Sequence, residues 1–267
     1  MTKKKLAIVG CGKLGEIVAN GYINGLLKEY ELIGVYSRTV ESAERLAEKV
    51  NQTKSSDDCM VFESLDEIIY HKPDIIAETA SIQAMRDLTL PALSNGISII
   101  TISIGVFADH DFYKEAIETA RNNNAKIYFA SGAIGGLDVL QTVTLMGGNP
   151  TVTFRTEKGP NSLKNTPVYD ENLQSEQKEV FKGNATDAIA MFPTKVNVSV
   201  CASLASIGTE KTEVSINSIP NFIGDDHRIE IKTDEVNAII DVYSKSADIA
   251  GWSVIRVLQN IVSPIVL

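Results

Sequence analysis

The residues best suited to chemistry lie near the start of the chain, in the run Gly10-Cys11-Gly12-Lys13-Leu14-Gly15. Four apolar residues, Leu6 to Val9, precede this run, and apolar residues at helical spacing follow it as far as Leu27. A second apolar segment, Leu32 to Val35, completes a strand-turn-helix-strand pattern of about 30 residues. In that context the GxGxxG spacing predicts a binding site for the pyrophosphate of a dinucleotide.

The glycines and the helix after them have separate roles in this prediction. Gly10 allows a tight exit from the strand, Gly12 lets backbone approach the pyrophosphate, and Gly15 lets the helix pack closely on the sheet. The first amides of the helix, near Lys13 and Leu14, would then face the phosphates. The alternative is a glycine-rich turn that binds nothing, and the two flanking strands make that the weaker interpretation.

The end of the second strand bears on the choice between NAD and NADP. A site that prefers NAD usually has a carboxylate there to accept hydrogen bonds from the adenosine ribose, whereas this chain has Ser37 and Arg38. A hydroxyl and a guanidinium suit a 2′-phosphate, so NADP is the preferred cofactor and NAD the alternative. Two other roles for Arg38 stay open: a solvated surface charge, or a stacking partner of adenine in an enzyme that accepts either cofactor.

Among the three histidines, His227 has the surroundings best suited to proton transfer. It lies in Gly224-Asp225-Asp226-His227-Arg228-Ile229, a polar turn that leads into a predicted strand. Reversible hydride chemistry at a C–N or C–O carbon needs a group that transfers a proton near neutral pH, and imidazole is the usual one. Spacing alone leaves the catalytic role open, since a lone histidine is more often structural or solvated. His71 and His110 have the surroundings of surface or capping groups.

Composition excludes several classes of protein. The chain has 267 residues, 44% hydrophobic and 22% charged, and a formal net charge of -9, which argues against a nucleic-acid partner or an anionic membrane surface. No apolar stretch approaches the ~20 residues of a membrane span, and the first strand is too short for the core of a signal peptide. The cysteines Cys11, Cys59 and Cys201 have no disulfide or zinc spacing. We therefore expect a cytoplasmic protein without a metal site.

The elements that must position these residues alternate between strands and helices over the first half of the chain. This alternation predicts an α/β fold with a Rossmann-type, doubly wound parallel sheet in a dinucleotide-binding domain of residues 1–132. Ligands of such sheets collect beyond the carboxyl ends of the strands. Ala80 and Ser81 follow one predicted strand there, and the small residues from Ser131 to Asp138 follow another. Each of these loops taken alone could equally be a plain connection.

The second half has a different character. The sequence predicts an α+β domain of residues 133–245 for substrate binding and dimerisation, with antiparallel strands. It also predicts a helix, residues 246–262, that packs back on the first domain. The segment from Gly159 to Glu176 is predicted to be a loop. The predicted strands are Val152–Thr156, Val196–Val200, Thr212–Ile216, Arg228–Thr233 and Val236–Val242.

Four segments carry a resemblance to the L-aspartate dehydrogenase family. They are the GCGKLG turn, SIGVFAD from Ser103, SGAIGGLDVL from Ser131, and Phe192-Pro193 followed by Val196-Asn197-Val198. The resemblance implies a dinucleotide-binding domain joined to an α+β domain that dimerises through its sheet. It also implies oxidation of L-aspartate to iminoaspartate, which either hydrolyses to oxaloacetate and ammonia or enters NAD biosynthesis. Carried over by motif, Ala133 and Asn197 contact the cofactor and His227 is the catalytic histidine.

The chain departs from the family pattern in two places. Lys195 stands where the family usually has asparagine, and the segment around Lys245 replaces an Asn-Pro-Lys-Thr-Ser segment. Either lysine could pair with a carboxylate of an acidic small-molecule substrate, although surface lysines are the commoner case. Two alternatives stay open: a dehydrogenase of the same scaffold for another small acid or a semialdehyde, and a non-catalytic NADPH-sensing protein.

Overall fold

The computed structural model describes residues 2–53 and 58–266. Its contacts divide the chain into two compact units. The first unit comprises residues 1–106, 110–132 and 250–267, and the second comprises residues 107–109 and 133–249.

The first unit is built on a six-stranded parallel sheet with the order β3-β2-β1-β4-β5-β6. That order, which reverses between β1 and β4, is the Rossmann arrangement, and it confirms the predicted fold class. The strands are β1 (Lys4–Val9), β2 (Tyr30–Tyr36), β3 (Met60–Val61), β4 (Ile75–Glu78), β5 (Ser98–Thr101) and β6 (Ile127–Phe129). The helices between them are α1 (Lys13–Ile23), α2 (Val40–Asn51), α3 (Leu65–Tyr70), α4 (Ile82–Ser94) and α5 (His110–Asn122).

The last helix of the chain, α9 (Asp248–Val262), belongs mainly to this first unit. Its apolar side chains share a core with those of α1, α2 and the sheet. The buried Tyr30 hydroxyl donates a hydrogen bond of 2.7 Å to the carbonyl of Leu258, and Gly251 brings the backbone of α9 against Ile17 of α1. The helix is therefore joined to the unit by both apolar packing and a buried hydrogen bond.

The second unit holds a five-stranded sheet with the order β11-β10-β7-β9-β8. Alternate residues of its strands face the core, and in β7 the buried ones are Val152, Phe154, Thr156 and Lys158. The strands are β7 (Thr151–Lys158), β8 (Lys178–Asn184), β9 (Glu213–Ser218), β10 (Asp225–Lys232) and β11 (Asn237–Ser244). The helices are α6 (Leu137–Met146), α7 (Ala185–Met191) and α8 (Asn197–Leu204).

The second unit differs from the prediction at three points. The segment Val196–Val200 is not a strand, because Asn197–Leu204 forms α8, in which the Ser203 hydroxyl bonds back to the carbonyl of Ser199. A short apolar run fits a buried helix as well as a strand, and packing decided between them. Strand β8 was not predicted, and the loop before it contains two short 3-10 turns. The sheet is mixed and not purely antiparallel, because β7 pairs with β9 in parallel while the other three pairings are antiparallel.

Candidate functional site

The glycine turn between β1 and α1 has a backbone path that excludes side chains at two positions. Gly10 has φ of +99°, and a Cβ there would lie 2.6 Å from the amide nitrogen of Ala80. A Cβ on Gly15 would overlap the carbonyl oxygen of Gly10. The Thr79 hydroxyl donates to that same oxygen at 2.9 Å, and the Gly10 amide donates to Tyr36 at 2.8 Å. The turn is therefore packed tightly against the strands on both sides.

Gly12 differs from these two glycines because it faces open space. It is exposed, and no heavy atom of the described residues beyond its chain neighbours lies within 4 Å of the Cβ position. Gly12 is also the N-cap of α1, and a glycine has no side chain with which to cap the first amides. Open space in front of the positive end of a helix suits a phosphate group, so the turn fits the diphosphate of a dinucleotide. Lys13 is exposed and Leu14 half-buried at this helix start.

A buried carboxylate organises the loops after β4 and β5. Glu78 Oε1 accepts hydrogen bonds from the amides of Ala80 and Ser81 at 2.8 and 2.9 Å and from the Ser103 hydroxyl at 3.0 Å. Its Oε2 accepts from the Thr101 hydroxyl at 2.6 Å. Complete burial raises the pKa of Glu78, and these four hydrogen bonds act in the opposite direction. Sequence analysis did not identify this role of Glu78.

The predicted contacts in the first unit lie at one edge of its sheet. Because β1 is flanked by β2 and β4, the glycine turn, Ser37 with Arg38, and Ala80 with Ser81 all follow the carboxyl ends of adjacent parallel strands. Ser37 is half-buried and its hydroxyl accepts from the amide of Thr39, while Arg38 is exposed. A serine and an exposed arginine therefore follow β2, without a carboxylate in either position.

His227 lies within β10, on the buried face of the second sheet. It pairs with Thr156 of β7 on one side and with Val242 of β11 on the other, and its ring centroid is 5.6 Å from that of Phe154. The side chain is 3% exposed, and Nδ1 has no hydrogen-bond partner among the described residues. An unpartnered ring nitrogen in a buried histidine is unusual, and it leaves His227 with a free position for a hydrogen bond.

An ion pair that sequence reasoning missed lies next to His227 on the same face. Lys158 at the end of β7 pairs with Asp225 of β10, with Nζ 2.5 Å from Oδ1, and the lysine is 4% exposed. Burial, together with the charge of Lys158, lowers the pKa of His227 to about 4, and Asp225 opposes that change. The imidazole is therefore neutral at pH 7 and able to accept a proton.

The remaining predicted residues of the second unit have varied surroundings. Ala133 is buried in the loop before α6. Asn197 is half-buried and begins α8, which packs on β7, the strand that carries Thr156 and Lys158. Lys195 and Lys245 are both exposed. Neither of them has the buried surroundings of Lys158.

Comparison with known proteins was made against family models and individual sequences. Residues 10–130 match the model described as "Homoserine dehydrogenase, NAD binding domain", and residues 138–261 match "Aspartate dehydrogenase, C-terminal". The L-aspartate dehydrogenase of Methanococcus maripaludis strain C5 is 33% identical over 272 residues, covering 98% of both chains. The chain belongs to the L-aspartate dehydrogenase family. Its relative from Methanosarcina mazei is 30% identical over 273 residues, again covering 98% of both chains.

Solved structures agree with this membership of the L-aspartate dehydrogenase family. The crystal structure of aspartate dehydrogenase from Thermotoga maritima has a TM-score of 0.76 at 26% identity and covers 99% of both chains. An archaeal homoserine dehydrogenase solved with NADPH shares the fold, with a TM-score of 0.61 at 14% identity and 97% of both chains covered. The predicted resemblance is confirmed, and the protein is an NAD(P)-dependent amino-acid dehydrogenase with a nicotinamide dinucleotide as cofactor.

The contrast between Gly12 and Gly15 predicts opposite effects of the same substitution. Gly12→Ala should leave the free energy of unfolding within about 0.5 kcal/mol of the parent protein, since its Cβ meets open space. It should weaken dinucleotide binding at least about tenfold, because the methyl group takes space reserved for the diphosphate. Gly15→Ala should cost more than about 2 kcal/mol of stability through its overlap with Gly10. Urea unfolding and fluorescence titration with NADPH measure both effects, and unchanged cofactor affinity in Gly12→Ala would contradict the assignment of the turn.

The lowered pKa of His227 predicts a pH dependence of stability. In the unfolded chain its pKa returns to about 6.5, so the unfolded state takes up a proton first as the pH falls. The free energy of unfolding should therefore drop between pH 7 and 4, by at most about 3 kcal/mol from this group. Urea unfolding across this range should show a smaller drop in His227→Gln. The exposed His110 provides the control, and His110→Gln should keep the full drop.

Proposed function

We propose that the protein oxidises L-aspartate to iminoaspartate while reducing NADP, and that the imine hydrolyses to oxaloacetate and ammonia. Membership of the L-aspartate dehydrogenase family supports the substrate. The observation that carries the proposal is His227, a neutral buried imidazole whose Nδ1 has no partner among the described residues. In this proposal residues 1–132 with α9 bind the dinucleotide, and residues 133–245 bind the substrate.

The proposed mechanism divides the work among residues of this chain. The first amides of α1 would hold the diphosphate in the turn shaped by Gly10, Gly12 and Gly15. Ala80 and Ser81, whose amides donate to Glu78, would contact the nicotinamide half, and Ala133 and Asn197 would be further cofactor contacts. A bound nicotinamide would supply the hydride acceptor for oxidation at the substrate α-carbon.

His227 supplies the proton transfer in this mechanism. A substrate carboxylate nearby raises the pKa of His227 from about 4 towards neutrality, which strengthens the imidazole as a base once substrate is bound. It can then take a proton from the water that adds to the imine. The burial of the ring and the charge of Lys158 both disfavour the imidazolium, so the proton passes on to the departing amine.

The proposed preference for NADP rests on Ser37 and Arg38. Both follow β2, where the adenosine ribose lies in folds of this type, and neither position carries an acid that would repel a 2′-phosphate. An exposed guanidinium can swing onto the phosphate and donate paired hydrogen bonds.

We also propose a homodimer formed through the open face of the second sheet. That face combines apolar side chains, Ile239 at 48% and Tyr243 at 56% exposure, with charges of both signs such as the paired Arg228 and Asp241. A surface with both charges can pair with a copy of itself. Sedimentation velocity measures the mass, and Ile239→Lys should shift it to the monomer.

We also propose that the protein is cytoplasmic. The three cysteines, Cys11, Cys59 and Cys201, are free and buried, as suits a reducing compartment. No helix in the described part of the chain is both long and apolar enough to cross a bilayer.

The assignment of substrate and base predicts the result of one kinetic comparison. The purified protein should oxidise NADPH when supplied with oxaloacetate and ammonium, and His227→Gln should lower kcat by roughly 10²- to 10⁴-fold while leaving NADPH affinity unchanged. His110→Gln should behave as the parent protein. Turnover of other acids or semialdehydes but not of oxaloacetate would contradict the substrate, and full activity of His227→Gln would contradict the base.

The cofactor preference is tested separately. Arg38→Gln should raise the KM for NADPH at least about tenfold and leave the KM for NADH almost unchanged, because only the 2′-phosphate loses a partner. Arg121 is exposed and follows no strand at this edge, so Arg121→Gln serves as the matched control. Equal losses with both cofactors would exclude selective recognition of the 2′-phosphate.

A further inference from the structure

The buried face of the second sheet is apolar along most of its width and polar at one end. Its apolar part includes Val152 and Phe154 of β7 with Ile229 and Ile231 of β10. The polar end is a cluster of five side chains, which we call the polar row. They are Thr156, Lys158, Ser218, Asp225 and His227.

Strand pairing brings the members of the polar row together. Lys158 pairs with Asp225 on β10 and with Ser218 on β9, and Thr156, two residues earlier on the same face, pairs with His227. Adjacent strands are about 4.8 Å apart, and residues two apart along a strand are separated by roughly 6.7 Å. Lys158 is therefore a direct neighbour of Ser218, Asp225 and Thr156, and Thr156 is a direct neighbour of His227.

The ammonium of Lys158 is incompletely paired for so buried a cation. It has three N–H donors, and among the described residues it forms one ion pair, with Asp225. Its side chain is 5% exposed, so water does not readily supply the missing acceptors. A buried cation is costly unless acceptors surround it, which points to a ligand that provides them.

Three buried polar atoms beside this cation also have no partner. Thr156 Oγ1, Ser218 Oγ and His227 Nδ1 form no hydrogen bond with any of the described residues. Two of them are hydroxyl oxygens that can donate, and Lys158 has donors to spare. A carboxylate has two oxygens with about four acceptor positions, which matches this set of donors.

We propose that Lys158, Thr156 and Ser218 form a subsite that binds one carboxylate group of the substrate, next to His227. The inference rests on the proposed aspartate dehydrogenase function and identifies the residues that recognise an acid. Asp225 holds the ammonium in place when no substrate is bound, and its side chain is 32% exposed, so one side of the polar row reaches solvent. The proposal assigns no part of this recognition to Lys195 or Lys245, which are both exposed.

Variants of Lys158 must avoid leaving Asp225 as an unpaired, half-buried charge. The double variant Lys158→Met/Asp225→Asn removes both charges and keeps the volume, a replacement that proteins usually tolerate. Thr156→Val removes one hydroxyl at nearly constant shape. The control is Lys182→Met, because Lys182 is an exposed lysine of the same sheet that pairs with Glu213.

The first experiment measures binding without turnover. Isothermal titration calorimetry with succinate, a dicarboxylate without an amine, compares the parent protein with each variant. The double variant should bind at least 30-fold more weakly, Thr156→Val about five- to tenfold more weakly, and Lys182→Met equally well. Succinate affinity that survives unchanged in the double variant overturns the subsite.

The second experiment separates binding from chemistry. In the double variant the KM for oxaloacetate should rise at least 30-fold, while the dissociation constant of NADPH stays constant. An unchanged KM with a lower kcat would overturn the subsite, because it would give Lys158 a role in chemistry only.

The two proposals can fail independently. If the parent protein does not turn over oxaloacetate but binds succinate through Lys158, the subsite stands and the aspartate assignment fails. If it turns over oxaloacetate and the double variant keeps the parent KM, the aspartate assignment stands and the subsite fails.

Discussion

The first unit depends on backbone segments that approach each other more closely than any side chain allows. Gly15 of α1 lies against the carbonyl of Gly10, and Gly10 lies against the amide of Ala80 at the end of β4. The Thr79 hydroxyl donates a hydrogen bond to the same carbonyl oxygen of Gly10. This contact fixes the start of α1 relative to two strands, so the helix amides point outward beside Gly12, where no side chain intervenes. The phosphate site follows from that packing, since a helix displaced outward by even one methyl group would carry its amides away from the sheet edge.

Much of the first unit could be predicted because its signals are local. The apolar runs of β1 and β2 and the glycine spacing between them lie within one short stretch of sequence, and the strand order follows from the rules for parallel sheets. The second unit was harder for the same reason. Whether Val196 and Val200 lie in a strand or in a helix is decided by what packs on them, and the parallel pairing of β7 with β9 depends on contacts between segments far apart in the chain.

The candidate site divides in the same way. The glycine turn could be predicted from spacing alone, whereas the roles of Glu78, Lys158 and Asp225 depend on the fold, which buries Glu78 and Lys158 and pairs Lys158 with Asp225. One feature of the sequence did indicate that Lys158 faces inward, because it is in phase with the buried residues Val152 and Phe154 of the same strand. From the sequence alone, a lysine at the end of a strand is expected to reach solvent. Only the pairing of β7 with β10 shows that Lys158 forms an ion pair with Asp225 and lies beside His227.

The energetics of the polar row argue for a functional role over a structural one. Replacing a buried ion pair by apolar residues of similar size is often neutral or stabilising. The ion pair of Lys158 and Asp225 is therefore not needed to join β7 to β10, because these strands already pair along their full lengths. Two unpartnered hydroxyls and an unpartnered imidazole nitrogen add further cost. Apolar side chains fill the rest of this face, so the cost is confined to the end that holds His227. On the buried face of this sheet, the unsatisfied polar groups lie at the end next to the neutral His227, which favours a site for a polar ligand there. A ligand that forms hydrogen bonds with these groups removes their destabilising cost, and that free energy contributes to its binding.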